Sequence, residues 1–170
     1  MATKTKKKGE KAKKKKKAPK FKRVDMKNLM PKGVAIKKSK AGLALFAKEP
    51  IERGDFIIEY VGKILTGKEA DIQGGRYLFE VNSKKTIDGT PRYNTARYIN
   101  HSCKPNCEQE TKQGRVLIFA KKSIAVGEEL NYDYGKEYCD EFLVTGGCIC
   151  GNCSGKTKYY KPKKKAEGKK

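Results

Sequence analysis

The sequence predicts a mostly β fold built from several small sheets with little helix. Three observations point there. Short runs rich in β-branched and aromatic residues recur between residues 34 and 132. Gly, Pro and Asp-Gly breaks separate them, and little of the sequence has helical character. No internal repeat is present.

Taken in order, residues 34–36 and 43–48 read as strands around a turn at Gly42, and residues 50–54 form a break. Residues 56–61 (Phe-Ile-Ile-Glu-Tyr-Val) form the strongest strand signal and stop at Gly62. Gly67 to Gln73 has room for at most two helical turns before Gly74-Gly75 ends them. Residues 77–81 alternate, placing Tyr77, Phe79 and Val81 on one face. Asp88-Gly89 and Pro91 are turn chemistry. Residues 94–99 suit one helical turn with Asn94 as its cap. Residues 115–121 are a further strand, and residues 126–129 lead into Leu130-Asn-Tyr132.

Charge divides the chain. Of its 170 residues, 1–23 hold 13 Lys or Arg against one acid, and 155–170 hold 8 Lys against one acid. Residues 24–154 carry 20 basic and 17 acidic groups, the balance of an ordinary folded domain. The ends lack the apolar surface that offsets ordering entropy and read as disordered tails. A flexible polycation attracts nucleic acid without sequence preference; a solubilising or localising role is the alternative. The longest apolar runs, 43–47 and 116–120, are five residues each, which predicts no membrane span. No signal peptide is visible, so an intracellular location is expected: nucleus in a eukaryote, cytoplasm or nucleoid in a bacterium. In such a reducing compartment six cysteines favour metal over disulfides.

The chemistry concentrates in Arg97-Tyr-Ile-Asn-His-Ser-Cys-Lys-Pro-Asn-Cys107, which holds the only histidine, two cysteines and a Pro-Asn turn. A buried polar knot, a metal edge or a cofactor pocket would use all of these. Upstream lies Gly42-Leu-Ala-Leu-Phe-Ala47; downstream lie Glu128-Glu-Leu-Asn-Tyr-Asp-Tyr-Gly135 and Cys148-Ile-Cys-Gly-Asn-Cys153. In this order the four pieces resemble SET-domain protein lysine methyltransferases with a post-SET zinc segment, over roughly Gly33 to Gly155.

The resemblance implies small sheets around a C-terminal pseudoknot where 97–107 meets 128–135. It implies residues 24–138 as SET domain, 139–155 as zinc segment, and tails at 1–23 and 156–170. It implies S-adenosylmethionine as cosubstrate, with Gly42, Leu43, Ala44, Tyr77, Arg97, Asn100 and His101 at the cofactor. In the family the first turn reads Gly-x-Gly; Ala44 stands at the second glycine. Arg97 could instead pair with an acid such as Asp133. Tyr134, Tyr132 and Tyr60 are implied as walls of the lysine channel, Tyr134 being the key tyrosine. Such a channel suits a neutral amine nucleophile, because apolar walls and a nearby sulfonium both lower a lysine pKa.

Cys148, Cys150 and Cys153 offer three thiolates, and a structural zinc wants four. The resemblance supplies Cys103; Cys139, Cys107 and His101 are alternatives. Tyr159-Tyr160 would cover the cofactor or channel, or stand exposed. The implied substrate is a lysine of a histone-like or other basic protein. The implied product is mainly monomethyl-lysine, because the first aromatic of the Tyr-Asp-Tyr element is Tyr132. The rival readings are a catalytically silent SET fold and a nucleic-acid-binding architectural protein acting through its tails.

Overall fold

The computed structural model describes Met26, residues 29–143 and residues 147–159. The tail at 1–23, most of the tail at 156–170, and Tyr160 lie outside the described residues. Among the described residues, ten strands form four small sheets: β1 (Val34–Ser39), β2 (Gly42–Ala47), β3 (Phe56–Tyr60), β4 (Lys63–Leu65), β5 (Leu78–Asn82), β6 (Lys85–Asp88), β7 (Asn100–His101), β8 (Cys107–Lys112), β9 (Arg115–Ala120) and β10 (Asn131–Tyr132). The sheet orders are β1-β2, β10-β7, β3-β9-β8 and β4-β6-β5. The expected mostly β fold with little helix is therefore present. Among the described residues, no helix is long and apolar enough to cross a membrane.

The core is the β9 run, whose Val116, Leu117, Ile118 and Phe119 are fully buried, joined by Leu45, Ile57, Ile99 and Leu130. A continuous apolar run suits a central strand covered on both faces. The helix α1 (Gly67–Gln73) starts with a capping box: Thr66 Oγ1 accepts from the Glu69 N–H, and Glu69 accepts from the Thr66 N–H at 2.7 Å.

Four strands arise where local sequence signals are weak. β4 has three residues, and β6 ends at Asp88, where the Asp-Gly pair predicts only a turn. β8 (Cys-Glu-Gln-Glu-Thr-Lys) has little β propensity and exists because it pairs residue for residue with β9. β7 is two residues long and is made by its partner. Asn94 also differs from expectation. It precedes a 3-10 turn (Thr95–Tyr98) but makes no capping bond. Its fully buried amide instead accepts from Val61 N–H (3.2 Å) and donates to the Gly89 carbonyl (3.1 Å). A Cβ at position 89 would overlap this amide and the Tyr60 ring, so glycine is required there.

The two distant stretches meet as a knot would require. β7 and β10 pair in parallel, Asn100 opposite Asn131 and His101 opposite Tyr132. The Ser102 N–H continues to the Tyr132 carbonyl (3.0 Å). Asn106 and Asn131 exchange reciprocal bonds, each backbone N–H donating to the other's side-chain oxygen, at 3.1 and 2.9 Å. Asn106 Nδ2 also reaches the Glu129 carbonyl (2.8 Å) and Glu128 Oε1 (3.0 Å).

The folded part continues to Tyr159, four residues into the stretch expected as a tail. Thr157 is buried, Lys158 pairs with Asp133, and Tyr159 Oη donates to Asp133 at 2.7 Å.

Asn106 is 1% exposed, so Asn106→Ala strands the Asn131 N–H in the interior and removes one of the two amide donors to the Glu129 carbonyl. It should destabilise the protein by about 3 kcal/mol in urea unfolding. A loss below about 1 kcal/mol would show that the stitch is dispensable.

Candidate active site

A cleft of about 990 Å³ opens between the β1–β2 turn, the knot and the cysteine-rich segment. Ser39, Lys40, Ala41, Leu43 and Phe46 line it from the hairpin. Asn100, His101, Ser102, Glu129 and Asn131 line it from the knot, and Cys148 to Gly151 close its end. A second, narrow cavity of about 80 Å³ lies between Tyr60, Leu78, Phe79, Gln109 and Tyr132. Arg76, Tyr77, Arg97, Tyr134 and Tyr138 line both cavities. The two spaces therefore share one wall.

The residues singled out from sequence fall into this geometry unevenly. Leu43, Tyr77, Arg97, Asn100 and His101 line the cleft; Tyr60, Tyr77, Arg97, Tyr132 and Tyr134 line the channel. Gly42 opens β2 at φ +102°, a conformation that favours glycine. Ala44 is fully buried in the strand. Asn100 Nδ2 donates to Glu129 Oε1 (3.0 Å) and to the Leu43 carbonyl (3.4 Å), so it ties the hairpin to the knot. Arg97 does not pair with Asp133. Its guanidinium lies 3.9 Å from the Tyr77 ring centroid and donates to the Thr90 carbonyl. Its Nε is buried without a hydrogen-bond partner among the described residues.

His101 Nδ1 accepts the Tyr134 N–H at 3.2 Å. That places the ring proton on Nε2, which stands 3.5 Å from Cys103 Sγ. Burial lowers the His101 pKa; Asp133 opposes that and Lys158 adds to it. Asp133 is itself opposed by burial, yet bonds from Lys158, Tyr159 and the Gly135 N–H bring its carboxyl below the usual range.

The channel tyrosines are neutral groups. Burial raises the phenols of Tyr60, Tyr132 and Tyr134 well above the ordinary value, with neighbouring tyrosines adding to it for Tyr132 and Tyr134. Tyr134 Oη donates to the Ile99 carbonyl and Tyr60 Oη to the Tyr77 carbonyl, each at 2.8 Å. Such groups orient and exclude water; they do not act as bases near neutral pH.

Sequence reasoning missed Tyr138 and Arg76. The short α2 (Lys136–Tyr138) runs into a wider π turn (Cys139–Leu143). It stacks Tyr134, Tyr138 and Phe142 at centroid distances of 4.6 and 4.7 Å, with Arg76 over Phe142. The signal was legible as aromatics at every fourth position.

The sulfurs of Cys103, Cys148, Cys150 and Cys153 all lie within 4.8 Å of one another. Two pairs, Cys103–Cys148 and Cys150–Cys153, are 3.8 and 3.7 Å apart. A tetrahedral zinc with Zn–S bonds near 2.3 Å gives edges of roughly 3.8 Å, so the donor set and spacing fit. Cys150 is opposed by burial, but the Cys103 and Asn152 N–H groups and two neighbouring thiols bring it down to about 7. Cys107 and Cys139 are buried instead, and burial pushes their thiols up to about 12 and about 11.

The SET domain family model matches residues 42–135, more than half of the chain. The chain belongs to the SET-domain family. Over 126 residues, 66% of this SET protein and 5% of the relative, it is 39% identical to the histone-lysine N-methyltransferase trr of Drosophila melanogaster. Over 135 residues it is 40% identical to the histone-lysine N-methyltransferase ASHH1 of Arabidopsis thaliana, covering 71% of this chain and 27% of that one. A humanized mutant of Chaetomium thermophilum Polycomb Repressive Complex 2, solved with a bound inhibitor, superposes at TM-score 0.58 with 34% identity; the match covers 63% of this chain and 15% of that one. The chain thus spans under a third of each curated relative described.

Spectrophotometric titration checks the neutral tyrosine wall. At pH near 10 an exposed phenol is half ionised, while Tyr60, Tyr132 and Tyr134 should remain protonated. Tyr134→Phe should leave the curve unchanged up to about that pH; lost amplitude there would mean the phenol is open to solvent.

Proposed function

We propose that this SET domain is an S-adenosylmethionine-dependent protein lysine N-methyltransferase. The observation that carries the reading is the shared wall: a roomy polar cleft and a narrow tyrosine-lined channel meet at Tyr77, Arg97 and Tyr134. The cofactor fills the first and a lysine side chain the second, so donor and acceptor meet without either passing the other. The cleft lies at the upper end of the volumes usual for small-ligand sites, and Arg97 Nε supplies an unpaired buried donor in its wall. Leu43, Tyr77, Arg97, Asn100 and His101 would hold the cofactor. When bound, it supplies an electrophilic methyl group on a sulfonium sulfur.

The chain's own work is positioning and desolvation. The rings of Tyr60, Tyr132 and Tyr134 flank the lysine stem, keep water out and disfavour its ammonium form. At pH 7 an ordinary lysine costs about 4–5 kcal/mol to deprotonate, so lowering its pKa is a large part of the task. Because the channel phenols stay protonated, the proton leaves to solvent before transfer. The activity in the printed names of the relatives, histone-lysine N-methyltransferase, supports a histone-like or other basic protein as substrate, and a nuclear place in a eukaryote. Residues 24–138 form the SET domain and 139–155 the post-SET segment, where zinc on Cys103, Cys148, Cys150 and Cys153 ties the end of the fold to the knot.

Incubation with labelled S-adenosylmethionine and histone peptides, read by mass spectrometry, tests the activity. Label on a lysine is expected, mainly one methyl group per residue. Tyr132→Phe should shift products toward di- and trimethyl-lysine by a few-fold to roughly tenfold, the scale of one hydrogen bond. Trimethyl-lysine as the early wild-type product would overturn this role for Tyr132.

Elemental analysis tests the metal. The purified protein should carry one equivalent of zinc and lose it in Cys150→Ser, with faster proteolysis after residue 147. Metal-free protein of unchanged protease resistance would remove the staple.

A further inference from the structure

We propose that Gln109 is a substrate-positioning residue, whose side-chain amide hydrogen-bonds the main chain of the target lysine at the solvent end of the channel. This rests on the methyltransferase reading and names a further residue of the same site. The starting observation is the register of β8. Its pairing sets Cys107 opposite Ala120 and Gln109 opposite Ile118, so both side chains lie on the face of the sheet that carries the core. Cys107 is buried there, whereas Gln109, two residues on, is exposed. The face leaves the core between them, and at that point the channel opens. Gln109 lines the narrow channel and does not line the large cleft.

Among the described residues, three polar side chains line the channel without reaching the cleft: Tyr60, Gln109 and Tyr132. Tyr60 and Tyr132 are 4% and 8% exposed, so Gln109 is the one that meets solvent. The phenol of Tyr60 is already committed to the Tyr77 carbonyl, and that of Tyr134, on the shared wall, to the Ile99 carbonyl. The Gln109 side-chain amide has no hydrogen-bond partner among the described residues. Half-buried Leu78 and Phe79 of β5 line the same cavity and complete its outer part.

This arrangement orders the occupant. A lysine has a four-carbon stem, and its amine must reach the wall shared with the cleft, where Tyr77, Arg97 and Tyr134 stand. With the amine there, the lysine Cα and its two flanking peptide groups are left at the outer end, against Gln109, Leu78 and Phe79. The two apolar side chains cover the stem. The carboxamide offers a carbonyl oxygen and two N–H donors, the complement of a peptide group. Such a contact reads main chain, which every lysine within a polypeptide carries. It favours a peptide lysine over a free amine and sets no preference among neighbouring side chains.

Two measurements on the full chain test this. The first is steady-state kinetics with S-adenosylmethionine and a lysine-containing histone peptide. Gln109→Ala and Gln109→Leu should each raise the peptide KM by a few-fold to about tenfold, the worth of one hydrogen bond. The turnover number, the cofactor KM, the distribution of methylated products and the urea midpoint should stay as in the wild type. In the second, the same peptide carries an ester in place of one or the other amide flanking the target lysine. One of the two esters should raise the wild-type KM by a similar factor, and Gln109→Ala should then add nothing further. An unchanged peptide KM in both variants overturns the inference and leaves the methyltransferase reading standing. A wild-type KM in Gln109→Leu alone means the residue merely fills space and overturns it too. So does more highly methylated product at unchanged KM, which would set Gln109 at the amine, and so do additive losses with both esters. No methyl transfer by the wild type to any histone peptide defeats the parent reading together with the inference.

Discussion

Everything in this fold depends on holding two short stretches together across about thirty residues of intervening chain. A two-residue parallel pair, β7 with β10, has no independent stability. It persists because Asn106 and Asn131 trade backbone-to-side-chain bonds on one flank, while His101 accepts the Tyr134 N–H on the other. Both flanks are shielded from water, which makes an unpaired partner costly and the pairing register specific. The same two stretches also carry the groups that line the cleft and the channel. Stability and site are therefore built from one set of bonds, and a substitution there cannot move one without the other.

The consequence for chemistry is rigidity without charge. The aromatic cluster of Tyr132, Tyr134 and Tyr138 is locked by ring packing and by the bond from Tyr134 to the Ile99 carbonyl. Burial raises these phenols, so the wall stays neutral across the range in which a lysine must lose its proton. Under the proposed methyltransferase reading, a site of this kind works by selecting and orienting a neutral amine. It needs no general base of its own, in keeping with the absence of a nucleophile–base pair in the sequence.

Much of this was legible in the sequence, for physical reasons that also explain the gaps. Strands with β-branched or aromatic runs, such as β3 and β9, announce themselves because their residues pack on a pleated surface. The segment 107–112 has no such residues and becomes β8 only through its neighbour. Asn94 looked like a cap because local sequence cannot show that Val61 and Gly89 converge on it from elsewhere. Leu43, Tyr77, Arg97, Asn100 and His101, expected as a group from the resemblance, line one cleft, while Gly42 and Ala44 shape the strand beside it. Tyr138 and Arg76 were missed because their roles depend on where a short helix lands. Cys103 joined its three distant partners as the resemblance implied, whereas spacing alone left Cys107, Cys139 and His101 open.

The central claim, that the knot both holds the fold and lines the cleft proposed for the cofactor, is tested most directly by hydrogen exchange with and without S-adenosylhomocysteine. The Ser102 and Asn131 amides should exchange only through global unfolding, alongside the β9 core. Added ligand should slow exchange further in residues 39–46 and 97–102. Knot amides that exchange as fast as exposed hairpin residues, or a ligand effect confined to other parts of the chain, would contradict it.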